Sequence, residues 1–145
     1  MTLAKHYHFW VYKVTKMNID KASNYDDLRR LAKRRLPPIA FDFIEGGVDD
    51  ELGLNRNQKA FENICLVPRY LRNVDSRSQK TTLFGQIFDH PFGISPTGLA
   101  GLFRPGADLM LAQAAKKANI PFVMSGSANC TIEEIAKVAP DHGWF

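Results

Sequence analysis

Apolar and polar positions follow two rhythms along this chain, and the change comes near residue 65. Before it the period is helical. Tyr25, Leu28, Leu31 and Ala32 fall on one face, Asn24 stands as N-cap, and Asp26 and Asp27 occupy the first turn, where the helix dipole favours acids. Pro37-Pro38 ends this helix, and Pro38 opens a second through Ile39, Ala40, Phe41 and Phe43, because the first helical positions need no N–H donor. Gly46-Gly47 is expected to close it with a residue at positive φ. A third helix is expected from about Glu51 to Asn63.

After residue 65 the runs are short and extended. Cys65 to Leu71 and Thr81 to Phe84 read as strands, with Gly85 turning the second into Ile87-Phe88. From Pro91 the order becomes strand, helix, strand, helix, start of strand. Phe92-Gly-Ile-Ser ends at Pro96-Thr97-Gly98. An alanine-rich helix follows from about Gly106 to Asn119, with Ala107, Met110, Leu111, Ala114, Ala115 and Ala118 as its expected buried stripe. Ile120 to Met124 ends at Ser125-Gly126, Thr131-Ile-Glu-Glu134 reads as a capping box, and Gly143-Trp144-Phe145 begins a third run. Buried strands alternating with crossover helices imply an α/β fold with a parallel sheet. No G-x-G-x-x-G follows the first strand, which favours a (β/α)8 TIM barrel over an open dinucleotide-binding sheet. Such a barrel needs roughly 200–250 residues or more, so the chain reads as the N-terminal part of one. Residues 1–19 then form an extension of unknown role, 20–90 the helices and small β-hairpin capping the barrel, and 91–145 its first two β/α units and the start of the third strand.

Composition changes this picture little. The 145 residues are 45% hydrophobic and 23% charged, ordinary for a globular protein, and no run approaches the roughly 18 apolar residues of a membrane span. Cys65 and Cys130 suggest no disulfide framework, and a reducing cytoplasm fits them. Much of the +4 net charge sits in Arg29, Arg30, Lys33, Arg34 and Arg35. With no interleaved aromatics and no accompanying motif, this cluster reads as a solvated helix face and not as a nucleic-acid surface. The extension holds His6, His8, Trp10 and several lysines but no unbroken apolar stretch, so it is not a secretory signal, and Met17 is a candidate start.

Candidate chemistry concentrates at the strand ends, where such barrels carry their sites. Pro96-Thr97-Gly98 and Ser125-Gly126-Ser127 are small and polar, and suit the polar edge of a planar heterocycle. On composition alone, ordinary turn chemistry is the stronger explanation. The other candidates are weaker. His6, His8, His90 and His142 have no carboxylate or Cys partner at a telling spacing. Asp49, Asp50 and Glu51 read as acids at a helix start and not as metal ligands. Cys130 lies just before a helix, a position that can lower a thiol pKa, but without a His partner it reads as structural. Gly101-Leu-Phe-Arg-Pro-Gly106 lacks the Gly-Lys-Ser/Thr of a phosphate loop.

At these strand ends the chain resembles the FMN-dependent α-hydroxy-acid dehydrogenases and oxidases, the family of glycolate oxidase, L-lactate dehydrogenase, mandelate dehydrogenase and long-chain hydroxy-acid oxidase. The signposts are Leu36-Pro37, Phe41-Asp-Phe-Ile-Glu-Gly-Gly47, Asn55-Arg-Asn57, Phe61, Pro68-Arg69, Ser95-Pro-Thr-Gly98, and Ser125 followed by Thr131-Ile-Glu-Glu134. Each is modest alone; their order and spacing from Asn24 to Phe145 carry the resemblance.

The resemblance implies FMN as cofactor, with Pro96, Thr97 and Gly98 lining the isoalloxazine ring and Ser125 hydrogen-bonding it. It implies substrate contact at Phe43, where family members usually have tyrosine, and at Ser127, where the family varies. The phenylalanine hints at a bulkier 2-hydroxy acid than glycolate. The implied reaction is oxidation of an L-2-hydroxy acid to the 2-keto acid, with oxygen, a quinone or a cytochrome as electron acceptor. The family's catalytic histidine, carboxylate-binding arginines and flavin-facing lysine lie in later strands. This chain is therefore expected to hold no catalytic residue, to bind no metal and to be inactive alone. The full-length protein is expected to be cytoplasmic or peripheral at the inner membrane, and a homo-oligomer. Two rivals remain: a non-catalytic truncated product that associates with a full-length relative, and a related FMN barrel of other chemistry such as an isomerase.

Overall fold

The computed structural model describes residues 19–145. Apart from Ile19, the extension and its candidate start at Met17 lie outside the described residues. The chain divides into two compact units, Met1–Ile64 and Cys65–Phe145.

The first unit is helical. After a 3-10 turn at Ile19–Lys21 come α1 (Tyr25–Arg35), α2 (Pro38–Glu45) and α3 (Leu52–Ala60), which runs into a second 3-10 turn at Phe61–Asn63. The local start signals act as expected. Asn24 Oδ1 accepts the Asp27 N–H at 2.9 Å, and Pro38 occupies the first helical position of α2. The Asp27 carboxyl accepts the Ser23 N–H and pairs with Arg30, which holds its pKa below the usual carboxylate value. The basic face is tied down within the unit: Arg29 pairs with Glu45, Arg30 with Asp27, and the Lys33 ammonium lies 5.8 Å from the centre of the Phe41 ring. Ala40 and Phe41 are buried, whereas Tyr25 and Leu28 of the expected α1 face are exposed.

The end of α2 corrects the expected reason for its glycines. Gly46 is extended (φ −72°, ψ 143°), and Gly47 does not adopt positive φ either. Space is what requires them. A Cβ on Gly46 would stand 3.0 Å from the Asp42 carbonyl oxygen, and one on Gly47 would crowd Glu51 and Leu54. The left-handed residues are instead Asp49 and Glu51, just before α3.

The second unit opens with a further correction. Residues 65–71 form no strand, and Leu66 and Val67 are almost fully exposed. Their β-favouring side chains have no pleated neighbour to pack on, and β propensity is expressed only through such packing. The hairpin is present: β1 (Thr81–Leu83) pairs antiparallel with β2 (Gln86–Phe88). Phe84 (φ 50°) and Gly85 (φ 83°) both adopt the left-handed conformation that a tight two-residue hairpin turn demands.

Then come α4 (Ala100–Phe103), α5 (Ala107–Lys117), β3 (Phe122–Val123), α6 (Ile132–Val138) and β4 (Gly143–Trp144). β3 and β4 are parallel, and the expected strand at residues 92–95 is reduced to one parallel bridge, Ile94 to Phe122. The Ile94 N–H donates to the Pro121 carbonyl at 2.8 Å, and the Val123 N–H to the Ile94 carbonyl at 2.9 Å. A Cβ on Gly93 would lie 2.7 Å from the Pro121 oxygen, so glycine is needed for this approach. Three extended segments therefore lie side by side in chain order.

The core below them comprises Ala112, Ala115, Ile120, Phe122, Ile135 and Ala139. This rotates the expected stripe of α5. Asp108, Ala112 and Ala115 are buried, while Met110, Ala114 and Ala118 are exposed. The inward face is set by packing on β3 and α6, which the period of the helix alone does not specify. The capping box of α6 is complete: Thr131 Oγ1 accepts the Glu134 N–H, and the Glu134 carboxylate accepts the Thr131 N–H. No helix among the described residues is long and apolar enough to cross a membrane.

Candidate functional site

The Ile94 segment and β3 each end in a loop on the same side of the sheet, and these two loops lie against each other. The Leu99 N–H donates to the Ser127 carbonyl at 3.1 Å. A Cβ placed on Gly98 would meet Ser127 Cβ at 3.7 Å and Ser125 Oγ at 3.8 Å. Pro96, Thr97, Gly98, Ser125 and Ser127 are thus gathered at one rim. Ser125 is half-buried, and the other four are exposed.

The chemistry of this rim follows from its backbone. Ser125 Oγ accepts the Ser127 N–H at 3.1 Å, which orients the hydroxyl and leaves its hydrogen for another acceptor. Thr97 Oγ1 donates to the Ser95 carbonyl at 3.5 Å. Among the described residues, no protein group accepts the Thr97 or Gly98 N–H. The rim therefore offers backbone donors, carbonyls and one aimed hydroxyl without a bulky side chain at Gly98. This suits the polar edge of a flat ring that accepts and donates hydrogen bonds, as the isoalloxazine of FMN does. Phe43 stands in the first unit, on α2, with 64% of its surface exposed.

Two residues of this region have no signal in the spacing of the sequence. Asn129 Oδ1 accepts the Gly101 N–H at 3.0 Å, across 28 positions of chain. Asp108, only 3% exposed, accepts the Asn129 N–H at 3.1 Å. The helical period had placed Asp108 off the buried stripe. Cys130 lies next to this pair. Burial, with the negative charges of Asp108 and Glu134, pushes its thiol pKa up. That direction is opposite to the lowering that a helix start can produce, and Cys130 packs against the core.

The two described histidines, His90 and His142, are engaged elsewhere. His90 Nδ1 lies 2.8 Å from Gln79 Oε1, and His142 Nε2 lies 3.1 Å from Asn119 Oδ1 at the opposite end of the sheet.

A family model of FMN-dependent dehydrogenases matches residues 32–145. The chain belongs to that family. The (S)-mandelate dehydrogenase of Pseudomonas putida is 40% identical over 122 residues, covering 84% of this chain and 31% of that protein. The L-lactate dehydrogenase of Pseudomonas syringae pv. syringae is 40% identical over 129 residues, covering 89% and 33%. Among solved structures, the monotopic membrane protein (S)-mandelate dehydrogenase superposes with a TM-score of 0.79 at 39% identity, covering 86% of this chain and 34% of that one. A mandelate oxidase variant solved with an FMN adduct gives a TM-score of 0.75 at 33% identity, covering 82% and 36%. The chain spans about a third of the length of the relatives it matches. The family's cofactor is FMN, and the relatives are named for dehydrogenation of hydroxy acids.

Proposed function

We propose that the protein carrying this chain uses FMN to oxidise an L-2-hydroxy acid, of the lactate, mandelate or longer-chain kind, to the 2-keto acid. The observation that carries this reading is the joined rim, with Gly98 against Ser125 and Ser127, in a chain of the FMN-dependent family. When bound, FMN supplies the acceptor for the two electrons leaving the substrate carbon. Gly98 would admit the ring close to the backbone. Pro96 and Thr97 would line it through main-chain groups, and the Ser125 hydroxyl would donate to it. Ser127 and Phe43 are each a proposed substrate contact, as the family resemblance implies. A phenyl group in place of the family's tyrosine removes a hydroxyl that would bind the substrate carboxylate, and so favours larger apolar acids.

The segments at Ile94, β3 and β4 run parallel in chain order with α5 and α6 packed together, which supports their being the first three strands of a (β/α)8 barrel. Since the chain spans about a third of its relatives, the 145-residue chain by itself is proposed to be without turnover.

The test uses the product of the complete reading frame. The purified protein should carry an FMN spectrum that bleaches anaerobically with L-lactate, (S)-mandelate or a longer L-2-hydroxy acid. A protein that binds no flavin, or a flavin that none of these reduces, would overturn the reading. Phe43→Tyr should shift kcat/KM towards lactate relative to longer acids, and unchanged ratios would remove Phe43 from specificity.

A further inference from the structure

We propose that Asp108 is a positioning residue, whose carboxylate acts through Asn129 to set the loop presenting Gly98 and Leu99 beside Ser125 and Ser127. The proposal rests on the reading of that rim as the flavin contact.

Asp108 is in the first turn of α5, where any exposed acid would satisfy the helix dipole. It is instead buried to 3% exposure, a costly place for a carboxylate that has no fixed donor. Its donor is the backbone N–H of Asn129, in the loop between β3 and α6. The Asn129 side chain turns to the neighbouring loop and accepts the Gly101 N–H in the first turn of α4. The fit is close: a Cβ on Gly101 would stand 2.6 Å from Asn129 Oδ1.

Between Gly98 and this clamp sits Leu99, a non-glycine residue at φ 55°, in the left-handed region that a bulky side chain avoids. Such a conformation persists only where surrounding contacts over-determine it. Here the Leu99 N–H is held by the Ser127 carbonyl, and the Leu99 carbonyl accepts the Leu102 N–H. Hydrogen bonds join Asp108 to Asn129 and Asn129 to Gly101, and the backbone carries the restraint from Gly101 back through Leu99 to Gly98. The Asp108 carboxylate bonds to Asn129 and not to the rim itself, so its action there is indirect.

The experiment uses the product of the complete reading frame, wild type and four variants: Asp108→Ala, Asp108→Asn, Asn129→Ala and Asn24→Ala. Asn24→Ala removes the α1 N-cap in the other unit and serves as a destabilised control away from the clamp. FMN dissociation constants are measured by fluorescence titration of the apoprotein, and amide exchange is followed at Leu99 and Gly101. Loss of one hydrogen bond to a charged group corresponds to about a tenfold change or more. Asp108→Ala should therefore weaken FMN binding by about that factor, Asn129→Ala, which loses a neutral bond, by about two- to tenfold, and both should speed exchange at both amides. Asp108→Asn, which keeps an acceptor for the Asn129 N–H, should recover most of the affinity.

If Asp108→Ala and Asn129→Ala match Asn24→Ala in affinity and exchange, the proposal is overturned. Should Asp108→Ala not fold, Asn129→Ala decides, since Asn129 is exposed and its truncation opens no core. A wild type without FMN affinity overturns the flavin reading alone, and the exchange rates still judge the clamp.

Discussion

Where β3 and β4 begin, the molecule is aromatic and closed. Phe88 is fully buried, with its ring 6.1 Å from those of both His142 and Trp144, and Phe84 lies 5.4 Å from Trp144. The hairpin is sewn onto this end by Gln86 Nε2 donating to the Asp141 carbonyl, and by Asn119, whose carbonyl accepts the Asp89 N–H and whose side chain donates to the Ile87 carbonyl. Where the Ile94 segment and β3 finish, the surface is glycine and serine, open, and held by single hydrogen bonds with a left-handed leucine between them. One end spends its contacts on cohesion. The other keeps backbone groups available, which is the division expected of a β/α unit whose chemistry sits at the strand C-termini.

This contrast can be broken first at the closed end. Phe88→Ala should destabilise the protein by about 3–5 kcal/mol, through lost apolar burial and the cavity left behind. Urea unfolding measures this, and FMN affinity measured at full occupancy of the folded state should not change. A loss of less than about 1 kcal/mol would mean that the hairpin can refill the site.

At the open end the effect should move from stability to binding. Ser125→Ala removes an oriented hydroxyl and should weaken FMN by about tenfold, with little change in the urea midpoint. A variant that loses stability but keeps its FMN affinity would make Ser125 a turn residue only.

The smallest effect sharpens the boundary between the two ends. Cys130, with its thiol pKa raised by burial and by Asp108 and Glu134, should alkylate more slowly than the exposed Cys65 in mildly alkaline buffer. The sign follows from linkage. A folded-state pKa above the unfolded one favours the neutral thiol, so its contribution to stability is intact below the unfolded pKa and is lost as pH rises through the folded value. Mass spectrometry of the two cysteines during unfolding would show Cys130 becoming reactive as the structure opens. Equal rates in the native state would place Cys130 outside the packed core.

Features closed within a few residues were legible in advance. Asn24 capping α1, Pro38 opening α2, the Thr131–Glu134 box and the hairpin turn at Gly85 all stand where expected, because both partners lie in the same short window. The family too was legible, from motifs whose order survives along the chain. Misreadings came where the deciding contact lies outside the window. Residues 65–71 have strand-like side chains and no strand beside them. Gly46 and Gly47 are the exception: their contacts with Asp42, Glu51 and Leu54 are local, but they answer to the space there and not to φ. The buried side of α5 was chosen by β3 and α6.

The candidate site divides in the same way. Glycine and serine at the two strand ends are written in the sequence, because small polar residues there follow from local turn chemistry. That Gly98 meets Ser125, that a buried Asp108 reaches Asn129, and that Asn129 holds Gly101 are products of tertiary structure alone. Hydrogen bonds across 21 and 28 positions leave no periodic trace, since nothing in the intervening chain must repeat for the two ends to meet.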